Sequence, residues 1–331
     1  MAQTAFVTGG TGFIGINLIE LLVHEGWDVT ALHRPTSDLT YLKRFPIRLA
    51  EGSITDGDSL ARAIPEGTNV VFHVAGDTNM WSKRNAQQNA INIDGTRNMI
   101  DAAVAKGVGV FVHTSSVSAW GQVTGPVTEE TPQKGESSWI NYERSKHLGE
   151  QEALKGIDRG LKVVVMNPGG VAGPYDTNTW GQLFFMLRDN ALPAASPGTI
   201  TISHVHDVVA AHLAAAIKGK SGERYLLGSD DVRVVDFIGE IARVAGVAKV
   251  PKKAPPWVLK LFGRLSVMVA AITGKEPDVT PEIVAMTSVT GTSYSSEKAI
   301  RELDYRFQPM TVAVQDNYDW LVKEGLLAES R

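Results

Sequence analysis

Eight residues near the start of the chain, TGGTGFIG at positions 8–15, constrain its fold more than any other feature. They follow an apolar, β-rich run at 5–8 and lead directly into a helical pattern at 13–25. Gly9, Gly12 and Gly15 recur at every third position. A strand that turns at once into a helix needs one residue without a Cβ for the tight turn. It needs a second where a ligand's backbone approaches and a third where the helix packs on the strand. The N–H groups of Phe13, Ile14 and Gly15 would then face outward at the positive end of a helix, a setting made for a pyrophosphate. A glycine-rich turn without a ligand is the plainer alternative. The position at the first strand–helix junction favours a dinucleotide.

Strand patterns continue at 28–32, 47–51, 70–74, 110–114 and 161–167, with helical patterns at 13–25, 58–64, 89–106 and 140–154. Such alternation predicts an α/β fold, a doubly wound parallel sheet of Rossmann type with helices on both faces. At 331 residues the chain holds one large domain and a smaller lobe. The expected division is a dinucleotide-binding domain over 1–168, with later strands returning from about 199–230, and a mainly helical substrate lobe over 169–331. The net charge of −4 gives no reason for a nucleic-acid partner. The chain has no cysteine, which excludes disulfides and a thiol nucleophile and fits an expected cytoplasmic location. The longest apolar run, 257–272, is broken by Lys260, Gly263 and Arg264. It reads as too short and too charged to span a bilayer, and as a lid over an apolar substrate in preference to a membrane-surface helix.

The second strand ends His33-Arg34-Pro35-Thr36-Ser37, with no carboxylate before Asp38. An acidic residue there would receive the ribose of NAD, whereas Arg34 is placed to pair with the 2′-phosphate of NADP, with Ser37 adding a hydroxyl. NADP(H) is therefore the expected cofactor, with NAD(H) second. The fourth strand ends in Ala75-Gly76, small enough to lie against a cofactor ribose, and the fifth in Thr114-Ser115-Ser116. Tyr142 and Lys146 lie four apart on a helical pattern and so share a face. A phenol titrates near 10, and an ammonium beside it favours the phenolate. Tyr142 could then exchange a proton with a substrate oxygen that Ser116 holds by a hydrogen bond.

Taken in order, TGGTGFIG, His73-Val74-Ala75-Gly76, Asn92-x-x-Gly95-Thr96-x-Asn98, Thr114-Ser115-Ser116, Tyr142-x-x-x-Lys146 and Asn167-Pro168-Gly169 resemble the extended short-chain dehydrogenases/reductases. The likeness is greatest to the branch holding dihydroflavonol 4-reductase and 3β-hydroxysteroid dehydrogenase. It implies catalysis by Ser116, Tyr142 and Lys146, and nicotinamide contacts from Pro168 to Val171. It also implies a homodimer through the helices at 86–106 and 139–155. Where that family often has Asp-Leu to reach the adenine, this chain has Ser53-Ile54. The aromatic–glycine pair is Trp120-Gly121, and Ala172 replaces a frequent tyrosine.

Residues expected over the cleft are Thr78, Asn79, Met80, Trp81, Trp120, Trp139, Tyr175, Trp180, Phe184 and Phe185, an apolar set suited to a hydrophobic carbonyl or alcohol. A nucleotide sugar would need cations for its diphosphate, and between Pro174 and Gly198 only Arg188 is available. An oxidoreductase is thus favoured over a redox-neutral epimerase or dehydratase. A cofactor-binding sensor or scaffold is the third reading. His204 and His206 flank Val205 without further ligands at suitable spacing, so no metal is expected.

Overall fold

The structure, a computed structural model, describes residues 2–229 and 231–329. Its first part runs β1 (Thr4–Thr8), α1 (Phe13–His24), β2 (Asp28–His33), β3 (Arg48–Glu51), α2 (Gly57–Ala63), β4 (Val70–His73), α3 (Asn85–Asn89), α4 (Gly95–Ala105), β5 (Val110–Thr114), β6 (Gly125–Val127), α5 (Asn141–Leu154) and β7 (Lys162–Pro168). There follow β8 (Gly170–Ala172), α6 (Gln182–Arg188), β9 (Thr199–His204), α7 (Val205–Lys218), β10 (Arg224–Leu227), β11 (Asp231–Arg233) and α8 (Val234–Val244). The last elements are α9 (Pro256–Thr273), α10 (Pro281–Thr287), β12 (Thr292–Tyr294), α11 (Glu297–Leu303) and α12 (Met310–Lys323).

Seven strands form one parallel sheet in the order β10-β7-β5-β4-β1-β2-β3. Strand order reverses between β1 and β4, and a crevice opens there at the carboxyl ends of the strands. Both faces are covered, so central strands carry apolar residues at successive positions: Val163, Val164, Val165 and Met166 of β7 are all fully buried. One core layer joins the sheet to α1 and α7, and includes Leu303 and Tyr305 from the C-terminal part. The other joins it to α2, α4 and α5. A smaller sheet, β11-β9-β8, packs with α6, α8 and α12 around Phe184, Phe237 and Leu321.

Three features differ from the sequence expectation. The single helix read at 89–106 is broken into α3, a π-helical turn over Ala90–Asp94, and α4. The wide turn sets the Asn92 carbonyl so close to α5 that a Cβ on Gly149 would stand 2.3 Å from it, and its side chain reaches the loop after β4. Of the strands read as returning over 199–230, β9 belongs to the small sheet, and β10 alone rejoins the large one. The third is α9, which spans 18 residues at a mean hydropathy of 1.3, long and apolar enough by length and composition to cross a bilayer. It is therefore longer than the interrupted run implied. It packs on α10, with Gly263 against Pro281, and its buried residues are Leu259, Gly263 and Ala270. None of its residues lines the cleft, so it is not the lid that the sequence favoured.

Candidate active site

The glycine loop forms as its spacing requires. Gly9 has φ +73°, and a Cβ on it would stand 2.7 Å from the Ala75 nitrogen, so β1 and the loop after β4 meet here. A Cβ on Gly15 would lie 2.1 Å from the Gly9 carbonyl oxygen. Gly12 caps α1, donates to the Gly9 carbonyl at 2.9 Å, and supplies no side chain to the first-turn N–H groups. No acidic residue lies in that turn. A cradle that any Cβ would fill, at the start of a 12-residue helix, fits a dinucleotide phosphate.

Around this end of the sheet lies a cleft of about 500 Å³. Phe13, Ile14, Val74, Gly76, Thr114, Ser116, Tyr142, Lys146, Pro168 and Val171 all line it, so the residues singled out from five separate stretches converge. Lys146 is buried and donates from Nζ to the Thr114 carbonyl at 2.9 Å. A Cβ on Gly76 would stand 3.4 Å from the same Nζ. Burial lowers the Lys146 amine to about 8, against a smaller opposing pull from Glu150.

Tyr142 sits half-buried on the same helix face. Burial pushes its phenol above the ordinary value, the Ser116 hydrogen bond pulls it down, and Asp77 adds a small upward push. Desolvation, not the Lys146 ammonium, sets the direction here. Desolvation disfavours the charged form of each group, and the ammonium is turned toward Thr114. The phenol is held protonated at neutral pH and can act as a proton donor.

A buried network that the sequence did not reveal fixes this geometry from behind. Asn167 donates from Nδ2 to the Ser116 carbonyl at 3.1 Å and to Glu150 at 3.0 Å. Glu150, fully buried, also accepts from Gln133 at 2.9 Å and pairs with Arg224 of β10. Asn92 accepts from the Asp77 N–H at 2.7 Å and donates to the Asp77 carbonyl and to Ser145, both at 2.9 Å. It thereby ties the loop after β4 to the helix carrying Tyr142. Glu143 also lines the cleft; its carboxyl accepts from Gln122 and Ser138 at 2.5 Å each and is raised by burial.

Arg34 lies exposed just beyond β2 in a turn where its N–H reaches Ser37 Oγ at 3.2 Å. Its guanidinium forms no ion pair among the described residues. Ser53 Oγ meets Thr55 Oγ1 at 2.8 Å. Ile54 turns its side chain into the core beneath α4, and its carbonyl accepts from Asn98 at 2.9 Å.

The expected substrate residues separate. Thr78, Met80 and Trp180 line the cleft. Trp120 does not: it is fully buried, and its indole N–H donates to the Thr131 carbonyl at 2.8 Å. Phe184 packs in the small-lobe core against Tyr318. Trp81 is buried beside the Lys83 ammonium, outside the cleft lining. Tyr175 packs edge-on to Tyr41 and tilted against Trp320, and Trp139 is exposed. Their places are taken by Ile283 and Met286 of α10 and by Tyr294, which reaches the cleft because β12 pairs with β6. His204 and His206 approach Asp316, but His204 uses both ring nitrogens, one toward Asp316 at 3.0 Å and one accepting the His206 N–H at 3.0 Å.

Comparison with known proteins agrees with this architecture. The family described as the NAD dependent epimerase/dehydratase family matches residues 5–228. A putative dihydroflavonol 4-reductase of Synechocystis sp. is 32% identical over 333 residues, covering 98% of this chain and 96% of that protein. A 3 beta-hydroxysteroid dehydrogenase/Delta 5-->4-isomerase of Mycobacterium tuberculosis is 26% identical, covering 78% of this chain and 75% of the relative. The crystal structure of gox2253 superposes with a TM-score of 0.84 at 33% identity, over 98% of this chain and 99% of that one. UDP-glucose 4-epimerase of Thermotoga maritima, solved with UDP-glucose, shares the fold at 20% identity and a TM-score of 0.78, over 97% and 99% of the two chains. With its glycine cradle, its Ser–Tyr–Lys cleft and a match over two-thirds of its length, the chain belongs to the NAD dependent epimerase/dehydratase family and is of the extended short-chain dehydrogenase/reductase type.

Proposed function

We propose that this protein is an NADP(H)-dependent oxidoreductase that reduces a hydrophobic ketone or aldehyde to its alcohol. The observation that carries this reading is the make-up of the cleft. Around Tyr142 and Ser116 it is walled by apolar side chains, among them Val74, Met80, Trp180, Ile200, Ile283 and Met286. Among the described residues no arginine lines it, its one cation is Lys146, already committed to Thr114, and it contains the carboxyl groups of Glu143 and Asp231. Beyond the glycine cradle, a second diphosphate on the substrate side would meet no arginine among the described lining residues. Arg188, which sequence alone left available for one, pairs with Asp189 outside the lining. These features support reduction over nucleotide-sugar chemistry.

A bound nicotinamide would supply the hydride. The protein's part is then to hold and protonate the carbonyl oxygen. Ser116 Oγ accepts from the Ser118 N–H at 3.1 Å and its hydroxyl reaches the Tyr142 oxygen, so a substrate oxygen arriving between them can take the Ser116 proton. Tyr142, kept as a phenol, gives its proton to the same oxygen as negative charge develops there. Lys146 stands next to the proton donor and, below pH 8, carries a charge that favours the phenolate left behind.

The test is NADPH oxidation by the purified protein against a panel of hydrophobic ketones and aldehydes, with UDP-glucose alongside. Turnover of a panel member is expected. Tightly held cofactor with conversion of the sugar and no net NADPH consumption would replace this reading by the epimerase one. Cofactor choice has its own test. Arg34 is exposed, unpaired among the described residues, and set where the ribose of a dinucleotide on α1 would end. Arg34→Glu should shift the NADPH/NADH affinity ratio by about 100-fold toward NADH, the size of a lost charged hydrogen-bond pair. An unchanged ratio would remove Arg34 from the cofactor site.

A further inference from the structure

Half of the large apolar side chains left exposed among the described residues, eight of sixteen, lie on the single helix α9: Trp257, Val258, Leu261, Phe262, Leu265, Met268, Val269 and Ile272. At about 100° per residue they fall on one arc, centred opposite the stripe of Leu259, Gly263 and Ala270 that packs on the protein. Gly263 makes that packing close: a Cβ there would stand 3.1 Å from the Pro281 nitrogen at the start of α10. The outward face is strongly apolar, with Ile272 88% and Trp257 69% exposed.

The helix itself carries charge of one sign, and so does the chain leading into it. From Arg243 to Lys275 the chain carries no Asp or Glu, while Lys249, Lys252, Lys253, Lys260, Arg264 and Lys275 fall in that stretch. On the helix, Lys260 and Arg264 fall together at one edge of the apolar arc. None of these six forms an ion pair among the described residues. An apolar arc with a tryptophan near one end and unpaired cations at its rim is the composition of a helix that lies in the headgroup region of a bilayer. Anionic lipid is the surface that complements a helix whose only charged residues are Lys260 and Arg264, entered by a segment carrying Lys249, Lys252 and Lys253.

We propose that α9 is a docking surface for anionic lipid, lying along the membrane face with one side still packed on α10. The helix α10 beneath it lines the cleft with Ile283, Met286 and Thr287, so the surface is adjacent to the cleft wall. This inference does not rest on the proposed reaction, since lipid binding needs no turnover.

The experiment is flotation of the full-length protein with vesicles of phosphatidylcholine alone or mixed equally with phosphatidylglycerol, at low and high salt. Binding to the phosphatidylglycerol vesicles, reversed by salt, is expected. Leu261→Glu with Leu265→Glu should abolish it, and Lys260→Glu with Arg264→Glu should weaken it about tenfold or more. Both pairs are exposed, so far-UV circular dichroism and thermal midpoint should match the parent protein. Failure of the parent to float with anionic vesicles would overturn the proposal. So would binding that survives both salt and alkaline carbonate, which would mark a span. Light scattering without lipid supplies the remaining arm: if Leu261→Glu with Leu265→Glu turned an oligomer into a monomer, a second copy of the chain would cover this face instead.

Discussion

Tyr142→Phe should lower kcat for carbonyl reduction by about 10²–10⁴-fold, the usual contribution of a placed proton donor. NADPH affinity, measured by fluorescence quenching, should stay within about twofold, because the ring and its packing are kept. The pH profile separates this role from a structural one. Burial lowers Lys146 to about 8, so it is an ammonium below that pH and neutral above it. Tyr142 moves the other way and stays protonated throughout this range. Reduction should therefore be level between pH 6 and 7.5 and decline above about 8 as the charge beside the proton donor is lost. Lys146→Met should be slow at every pH and lack the alkaline limb. A parent enzyme with level activity to pH 10 would show that Lys146 takes no part.

Acidification from pH 7 to pH 5 should destabilise the protein on the order of 2 kcal/mol for each of two buried imidazoles, His73 and His212, with His113 acting in the same direction. His73 and His113 lie in β4 and β5 and His212 on α7, and burial is the largest cause that lowers each: His73 to about 3, His212 to about 4, and His113 well below its usual range. The hydrogen bonds define neutral tautomers. Thr96 commits its proton to the Asn92 carbonyl at 2.8 Å, so His73 Nε2 must donate to Thr96, and its Nδ1 accepts from Thr8 at 2.8 Å. His212 Nδ1 must donate to the Val208 carbonyl at 2.8 Å, leaving Nε2 to accept from Thr114 at 2.9 Å. The rings of His73 and His113 stack at 5.4 Å, so charging either one also opposes the other.

Because each folded-state pKa lies below the unfolded value near 6.5, the unfolded chain takes up protons first as pH falls. Stability is present above 6.5 and is lost toward the folded values near 4 and 3. Urea unfolding at pH 7 and pH 5 measures the loss, and His212→Gln should reduce it. Equal stability at the two values would mean that the rings accept protons without cost.

Legibility of the site followed sequence distance. The glycine loop and the Tyr142–Lys146 pair could be read because each motif is short and its geometry is local to one turn or one helix. The sheet could be read because strands buried on both faces have continuous apolar runs. Glu150 could not. A glutamate on a charged helix reads as a solvated side chain, and only the arrival of Asn167 and Arg224 from β7 and β10 buries it. Tyr294 and Met286 escaped for the same reason: β12 reaches the cleft by pairing Thr292 with Gly125. Trp120 and Phe184 were read as cleft residues because aromatic composition does not distinguish a pocket wall from a core. The partner of the Trp120 indole, the Thr131 carbonyl, decided that case.

The path of the chain through the two lobes has a consequence for its synthesis. Strand β7 ends at Pro168, but its outer edge is paired only when β10 is made, and the adjoining core layer is completed by Tyr305, whose hydroxyl donates to the Gly228 carbonyl at 3.1 Å. Tyr305 follows Pro168 by 137 residues (305 − 168). At roughly 5–20 residues per second a ribosome needs about 7–27 s to cover that stretch. The outer edge of β7 stays open until β10 ends at Leu227, 59 residues on (227 − 168), and the core layer beside it stays incomplete for the whole interval. The strand order thus prolongs the exposure of apolar surface during translation, and a chain stopped short of Tyr305 should lack part of that layer.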